Sequence, residues 1–374
     1  MPGFHITSDD TIRSGDCTDI YFERCTSVLE KEGINPIVTA EVAVSRLIGG
    51  FGVLCGLEDV ITLLGDLPLD VYALPEGSVF YEGEPVVVIR GRYLDFARYE
   101  TSILGFLCHA SGIATSAARI RDAAGEREIY SFGSRRQHPA ISYMIERSAW
   151  IGGVDGVSNT CAPEGITLAG TMPHAYVMCS GDSARAWEMF DRNAPPEVPR
   201  IMLCDTFSDE KREALEAARA GCKGVRLDTP ASRRGNMRSI IGEVRWELDI
   251  HGYKDVKIFL SGGLEIEDVE TCRDIVDAFG IGGAIANAPV IDFSLDLVEI
   301  DGAACSKRGK RSGAKRVIKD ASGIRSVVPA GESLPEGATD LHLRYIRGGR
   351  ILRRDTVAEA RDRVAGEMKN LNTA

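Results

Sequence analysis

The chain has 374 residues, 44% hydrophobic and 26% charged, which is enough for two domains that bury their own cores without disulfide or metal staples. A formal net charge of −11 disfavours general binding to nucleic acid or anionic membrane, since that binding needs a basic face whose counterions can be exchanged. Ten dispersed cysteines without a CxxC pair argue against a zinc knuckle and for a reducing compartment.

The first residues, MPGFHITSDDTIRSGD, lack the basic-then-apolar order of a signal peptide, and no apolar run nears the ~20 residues that span a bilayer. A cytoplasmic protein is expected. Residues 18–31 carry a helical repeat that ends at Gly33, and 38–47 continue it as a second helix. VYALPEGSVFYEGEPVVVIRGRY alternates short β-branched runs with turn residues and predicts antiparallel strands. Residues 96–123 form a long helical tract interrupted at Gly105 and Gly112.

From about Ile129 the rhythm becomes strand, loop, helix. The candidate strands are EIYSF, GVDGVSN, TMPHAYVM, PRIMLCDTF, CKGVRLDT, VKIFLSGG and FGIGGAIAN, and DEKREALEAARAG is the clearest helix between them. This alternation predicts parallel strands with right-handed crossovers, and the lack of GxGxxG after the first strand favours a barrel over a dinucleotide-binding sheet. Beyond Pro289, FSLDLVEI, AKRVIK and LHLRYIRGGRI read as strands, before a final helix at 356–370. The expected divisions are 1–123, 124–290 and 291–374, the last returning to the first domain.

Five stretches carry candidate chemistry. SFGSRRQHP sets Phe132, Arg135 and Arg136 at a strand's C-terminal end, where barrel enzymes build their sites. A ring face beside two guanidinium forks suits a flat aromatic carboxylate or a phosphate, although a core Phe beside a surface arginine pair has the same composition. GTMPHAY holds His174, a possible base, nucleophile or phosphate ligand, or a histidine with only a structural part. CDTF and VRLDTP end two strands with Asp205, Arg226 and Asp228, which suit a ribose, a phosphate or hydrated Mg²⁺; either acid can instead cap a helix, with Ser208 and Asp209 competing for the cap after Asp205. FLSGGLE and FGIGGAIAN offer the paired glycines Gly262, Gly263, Gly282 and Gly283 as a monophosphate cup, or merely as tight turns. SKRGKRSGAKR reads as a solvated basic turn, or as an attractor for a polyanionic substrate.

Taken in order, TDIYF, SFGSRR, GTMPHAY, CDTF, VRLDT, LSGGL and GIGGAIAN resemble the nicotinate phosphoribosyltransferase family, type II phosphoribosyltransferases related to the nicotinamide and quinolinate enzymes, over nearly the whole chain. The resemblance implies an α/β fold: an irregular, incomplete (β/α) barrel with an α+β sandwich domain formed from both chain ends. It also implies a homodimer with shared active sites, with a higher oligomer left open, that joins nicotinate to phosphoribosyl pyrophosphate. By resemblance Phe132 and the neighbouring subunit's Tyr21 sandwich the pyridine ring. Asp19 binds across the interface, and Arg135 and Arg136 serve the carboxylate and phosphates. Thr171 joins the substrate-binding residues, Asp205 the catalytic ones. Arg226 and Asp228 meet ribose and pyrophosphate, and the four glycines hold the 5′-phosphate.

His174 matches the histidine phosphorylated when such enzymes couple transfer to ATP hydrolysis, so Mg²⁺ and ATP are the implied cofactor and co-substrate. Relatives that use nicotinamide carry an aspartate in the loop matching VSNTCAPE, where this chain has Ser158, Asn159 and Thr160, so nicotinate is the expected base. No structural zinc is expected, since no cysteine follows Cys305. The alternatives are quinolinate phosphoribosyl transfer with decarboxylation and a non-catalytic phosphosugar-binding homologue.

Overall fold

The computed structural model describes residues 4–228 and 235–371. They form two compact units, residues 1–115 with 289–374 and residues 116–288.

The first unit centres on a seven-stranded antiparallel sheet drawn from both chain ends. Its order is Ala303–Ala304, Phe293–Ile300, Ile37–Val44, Pro85–Arg92, Asp70–Ala73, Leu343–Arg347, Arg350–Ile351. The segment expected as a second helix is therefore the central strand Ile37–Val44. Its pattern has period two. Val38, Ala40, Val42 and Val44 are buried in the core, while Thr39 donates to Glu299 (2.8 Å) and Glu41 pairs with Lys315 (2.9 Å). Neighbours on both sides bury the second face too, which blurs the alternation and lets a helical spacing be read into it. The strands predicted in VYALPEGSVFYEGEPVVVIRGRY form as expected, with Asp70–Ala73 antiparallel to Pro85–Arg92.

The tract at 96–123 is one continuous helix, Glu100–Ala124, unbroken at either glycine. Gly112 serves close packing, because a Cβ there would overlap the Pro289 carbonyl. By length and composition alone the helical stretch Tyr93–Ala124 could cross a bilayer, but 61% of its most apolar window is buried, as in a core helix.

The second unit carries a six-stranded, wholly parallel sheet in the order Gly156–Val157, Glu128–Ser131, Ala278–Ile281, Lys257–Leu260, Gly224–Leu227, Ile201–Leu203. It is curled and open, a barrel short of closure. The strand expected from TMPHAYVM does not form. That segment is a loop followed by the helix His174–Ser180, and the chain just before it makes an isolated parallel bridge, Val157 to Leu168. The two free edges are covered separately. Thr167 accepts from Val157 N–H (2.9 Å), and Ala169 N–H donates to Val157 (2.8 Å). At the other edge the buried Trp187 indole donates to the Leu203 carbonyl (3.1 Å).

Gly112→Ala is expected to lower stability by about 1–3 kcal/mol through overpacking. Gly105→Ala, on an exposed stretch of the same helix with nothing near the added methyl, is expected to raise it by about 0.5–1 kcal/mol. Denaturant titration of the two variants checks both signs.

Candidate active site

Five of the six parallel strands carry candidate residues just past their C-terminal ends. After Ile201–Leu203 the chain turns through Asp205 and Thr206 into the helix Glu210–Arg219, which Asp209 caps by accepting from Arg212 N–H. Asp205 is therefore not a helix cap. Its carboxylate instead accepts the backbone N–H of Asp228, at the end of the neighbouring strand Gly224–Leu227 (2.5 Å). Asp228 is the last described residue of VRLDT, whose Thr229 lies outside the described residues. The Asp228 carboxylate accepts from Ser261 Oγ (2.7 Å).

His174 meets both acids. Its Nε2 is 3.6 Å from Asp228 Oδ2 and 3.8 Å from Asp205 Oδ1, and its Nδ1 lies 3.1 Å from Thr206 Oγ1. The Asp205 side chain is 4% exposed against 31% for Asp228, so Asp228 is the acid that faces solvent. Arg226 points the same way as His174: its Nη2 donates to the Met172 carbonyl in the histidine loop (2.9 Å), while its buried Nε has no partner among the described residues. Thr171 Oγ1 is likewise buried without a hydrogen bond among the described residues.

On the other side of the sheet, Phe132 follows Glu128–Ser131 and its N–H donates to the Ile281 carbonyl (2.7 Å). Its ring lies over Gly280, where any Cβ would collide with it. Arg135 and Arg136 are exposed on the short 3₁₀ turn Ser134–Arg136. Gln137 ties that turn to the end of the helix Gly283–Ala286 through the Ala286 carbonyl (3.1 Å) and Asn287 Oδ1 (2.8 Å). Gly262, at φ 101°, packs against Asp228, with 3.0 Å between a built Cβ and the Asp228 carbonyl oxygen. Gly263, at φ 69°, faces open space. Gly282 and Gly283 open the short helix after Ala278–Ile281.

Asp19 and Tyr21 belong to the first unit. Asp19 precedes the helix Ile20–Lys31 and accepts from Thr101 Oγ1 (2.9 Å) and the Tyr21 hydroxyl (3.3 Å). Glu100 stands nearby; burial first, then Asp296, push its carboxyl up to about 7 against the pull of Lys307. The basic stretch after Cys305 is not simply a solvated turn. Lys307 and Lys310 both pair with the nearly buried Asp296 (2.5 and 2.9 Å), and Lys315 with Glu41.

Two family models cover this architecture: quinolinate phosphoribosyl transferase, N-terminal domain, over residues 19–111, and its C-terminal domain over residues 113–296. The crystal structure of nicotinate-nucleotide pyrophosphorylase from Pyrococcus furiosus shares 48% identity with TM-score 0.97, covering 100% of this chain and 99% of that one. The chain belongs to the family of the quinolinate and nicotinate phosphoribosyltransferases. Nicotinate phosphoribosyltransferase pncB1 of Mycobacterium tuberculosis is 28% identical over 327 residues, 81% of this chain and 72% of that protein. The nicotinate phosphoribosyltransferase of Rattus norvegicus is 36% identical over 250 residues, 60% of this chain and 46% of its own length. Human nicotinic acid phosphoribosyltransferase, 19% identical, shares the fold at TM-score 0.80, covering 94% of this chain and 93% of that one.

At this candidate site, reading the sequence missed the residues that act through others. Glu213 is the clearest. Buried at 1% exposure, it accepts the N–H groups of Thr206, Phe207 and Ser208 (3.0–3.1 Å) and the Ser183 hydroxyl (2.9 Å), fixing the loop beside Asp205. Only its position one turn into a helix whose opposite face is solvated could have signalled it.

Glu213→Gln turns one acceptor into a donor facing backbone N–H, and is expected to cost about 1–3 kcal/mol in thermal or denaturant unfolding. For Glu100 the sign follows from a folded pKa above the unfolded one. The folded state holds the extra proton, so stability is lost as pH rises from about 4.5 toward 7. Glu100→Gln should flatten that decline when unfolding is followed from pH 4.5 to 8; an unchanged slope would refute it.

Proposed function

We propose that the chain transfers the phosphoribosyl group of phosphoribosyl pyrophosphate to the ring nitrogen of nicotinate, giving nicotinate mononucleotide and pyrophosphate. The observation that carries the reading is the Phe132–Arg135–Arg136 turn, set beside the Gly282–Gly283 loop by the parallel pairing of Glu128–Ser131 with Ala278–Ile281. One edge of the site thus offers a ring face and two cations, its neighbour a glycine loop, and the next strands the group of Asp205, Arg226, Asp228 and His174. The names of the curated relatives support the base.

In this reading the pyridine nitrogen uses its own lone pair to form the bond to C1 of the ribose, while the C1–oxygen bond breaks and its electron pair leaves with pyrophosphate. No proton is removed from the nucleophile, so no strong base is needed. Catalysis rests on aligning the ring against Phe132 and stabilising charge as it develops, with Arg226 serving the leaving group. Gly262, Gly263, Gly282 and Gly283 are assigned to the 5′-phosphate, Thr171 to the bound substrate through its orphan hydroxyl, and Arg135 and Arg136 to the carboxylate and phosphates. Asp19 and Tyr21 would reach a second subunit's site in a homodimer. Mg²⁺ fits the donor set, since it takes few carboxylates and keeps its waters; Asp228, with Asp205 behind it, would hold it, and it would supply charge neutralisation to the pyrophosphate. His174, with one nitrogen facing two carboxylates and the other Thr206, is the proposed site of ATP-derived phosphorylation.

Transfer to quinolinate with loss of carbon dioxide is the second reading, favoured by the descriptions of the two family models. One assay separates them: purified chain, Mg²⁺ and phosphoribosyl pyrophosphate with nicotinate, nicotinamide or quinolinate, each with and without ATP. Product from nicotinate, increased by ATP, is expected. Product from quinolinate alone overturns the main reading, and product from no base favours a binding homologue. His174→Ala should abolish the ATP increase and keep some basal transfer; an equal increase in the variant refutes the phosphohistidine.

A further inference from the structure

Beneath the arginine turn lies a carboxyl group that the chemistry above does not use. Glu146, in the helix Ser142–Ile151, is completely buried. The groups that favour its charge are the hydroxyls of Ser131 and Ser134 and the backbone N–H of Asn159. Near as they lie, neither carboxyl oxygen closes a hydrogen bond of good geometry, and burial pushes the group up. An apolar side chain would be cheaper to bury there.

The three facing groups belong to the three segments that shape this end of the site. Ser131 ends the strand before Phe132, Ser134 opens the turn that carries Arg135 and Arg136, and Asn159 sits in the loop after Gly156–Val157. Those segments are already tied in one polar direction. Cys161 N–H donates to Asn159 Oδ1 (2.9 Å), and Asn159 Nδ2 donates to Ser134 Oγ (3.0 Å). Because Ser134 is the acceptor in that bond, its single hydroxyl proton is not spent on Asn159 and can turn to Glu146. A separate bond from Ser158 N–H to the Ser131 carbonyl (2.9 Å) holds the same two segments by their backbones.

We propose that Glu146 is a positioning residue: its buried carboxyl, the acceptor within reach of the unspent Ser134 proton, holds the arginine turn and the 158–161 loop in one register and so sets affinity and selectivity for the pyridine carboxylate. It does not touch the substrate. This rests on the transfer reading above.

The test is steady-state kinetics of the full chain, with nicotinate and phosphoribosyl pyrophosphate varied separately, alongside thermal unfolding. Glu146→Leu should fold, raise the KM for nicotinate about tenfold, the worth of one hydrogen bond's orientation, and leave the KM for phosphoribosyl pyrophosphate within about twofold. Its preference for nicotinate over nicotinamide should narrow. Glu146→Gln, which keeps an oxygen acceptor, should recover most of the loss, and Ser134→Ala should shift the nicotinate KM in the same direction. A Leu variant with unchanged nicotinate KM, or with both KM values raised in proportion, overturns the proposal, as does a Gln variant as impaired as the Leu one. If Glu146→Leu does not fold, Ser134→Ala decides: a rise confined to nicotinate supports the proposal, and unchanged constants overturn it. Failure of the transfer reading is seen separately, as a wild-type chain that turns over no nicotinate, and the proposal falls with it.

Discussion

The candidate site depends on one bond, from the Asp228 backbone N–H to the Asp205 carboxylate. The ladder between Ile201–Leu203 and Gly224–Leu227 makes its last backbone rung where Cys204 N–H meets the Arg226 carbonyl (3.0 Å). Beyond that rung the strands would splay. The Asp205 side chain supplies the next acceptor and carries the pairing one step past the sheet. This gives the two acids different environments. Asp205 has an oxygen committed to backbone and is almost enclosed, whereas Asp228 receives a hydroxyl from Ser261 and keeps a solvent-facing edge. His174, held within 4 Å of both, inherits its place from that lock and from Thr206.

Carboxylates that accept backbone N–H groups recur through the fold. Asp155 accepts from Ile129 N–H and Asp277 from Ile258 N–H, both 2.8 Å, at the opposite ends of two parallel strands. Glu213 gathers three N–H groups around the Asp205 loop. In the first unit the fully buried Glu76 accepts from Gly56 N–H (2.7 Å), and its own N–H donates to Asp355 (3.0 Å). Part of the acid excess is therefore internal, spent on strand and helix ends where the ladder leaves donors unmatched. Net charge alone does not separate these buried acceptors from a surface field, which is why it bears on partners only by exclusion.

Most of the architecture was legible because its signals are local. Strand and helix alternation between Ile129 and Asn287 follows from short β-branched runs broken by glycine and by capping residues such as Asp182 and Asp209. Where the expectation failed, tertiary context had overruled a short window. Ile37–Val44 is buried on both faces, so its period is masked, and TMPHAYVM has strand-like composition at the position where the sheet stops. The site residues at strand ends were legible for the same local reason. Thr206, Glu213, Ser261, Gln137 and Glu146 were not, because each acts through a partner 5 to 150 positions away in the chain, and no pattern of spacing encodes those pairings.

The glycine motifs show how far composition can mislead even when it points to the right place. In FGIGG, Gly280 is required by the Phe132 ring, and across the same pair of strands Gly133 is required by the Gly282 carbonyl and the Ala286 methyl. Gly262 is required by Asp228 at 3.0 Å. These positions need glycine for packing whether or not any ligand is bound. Gly263 differs: an added Cβ would meet nothing, and its positive φ turns the backbone toward open space. Of the 262–263 pair, a phosphate-holding role is thus an independent inference at Gly263, while Gly262 and Gly280 act first as spacers that set the distance between ring, acid and backbone.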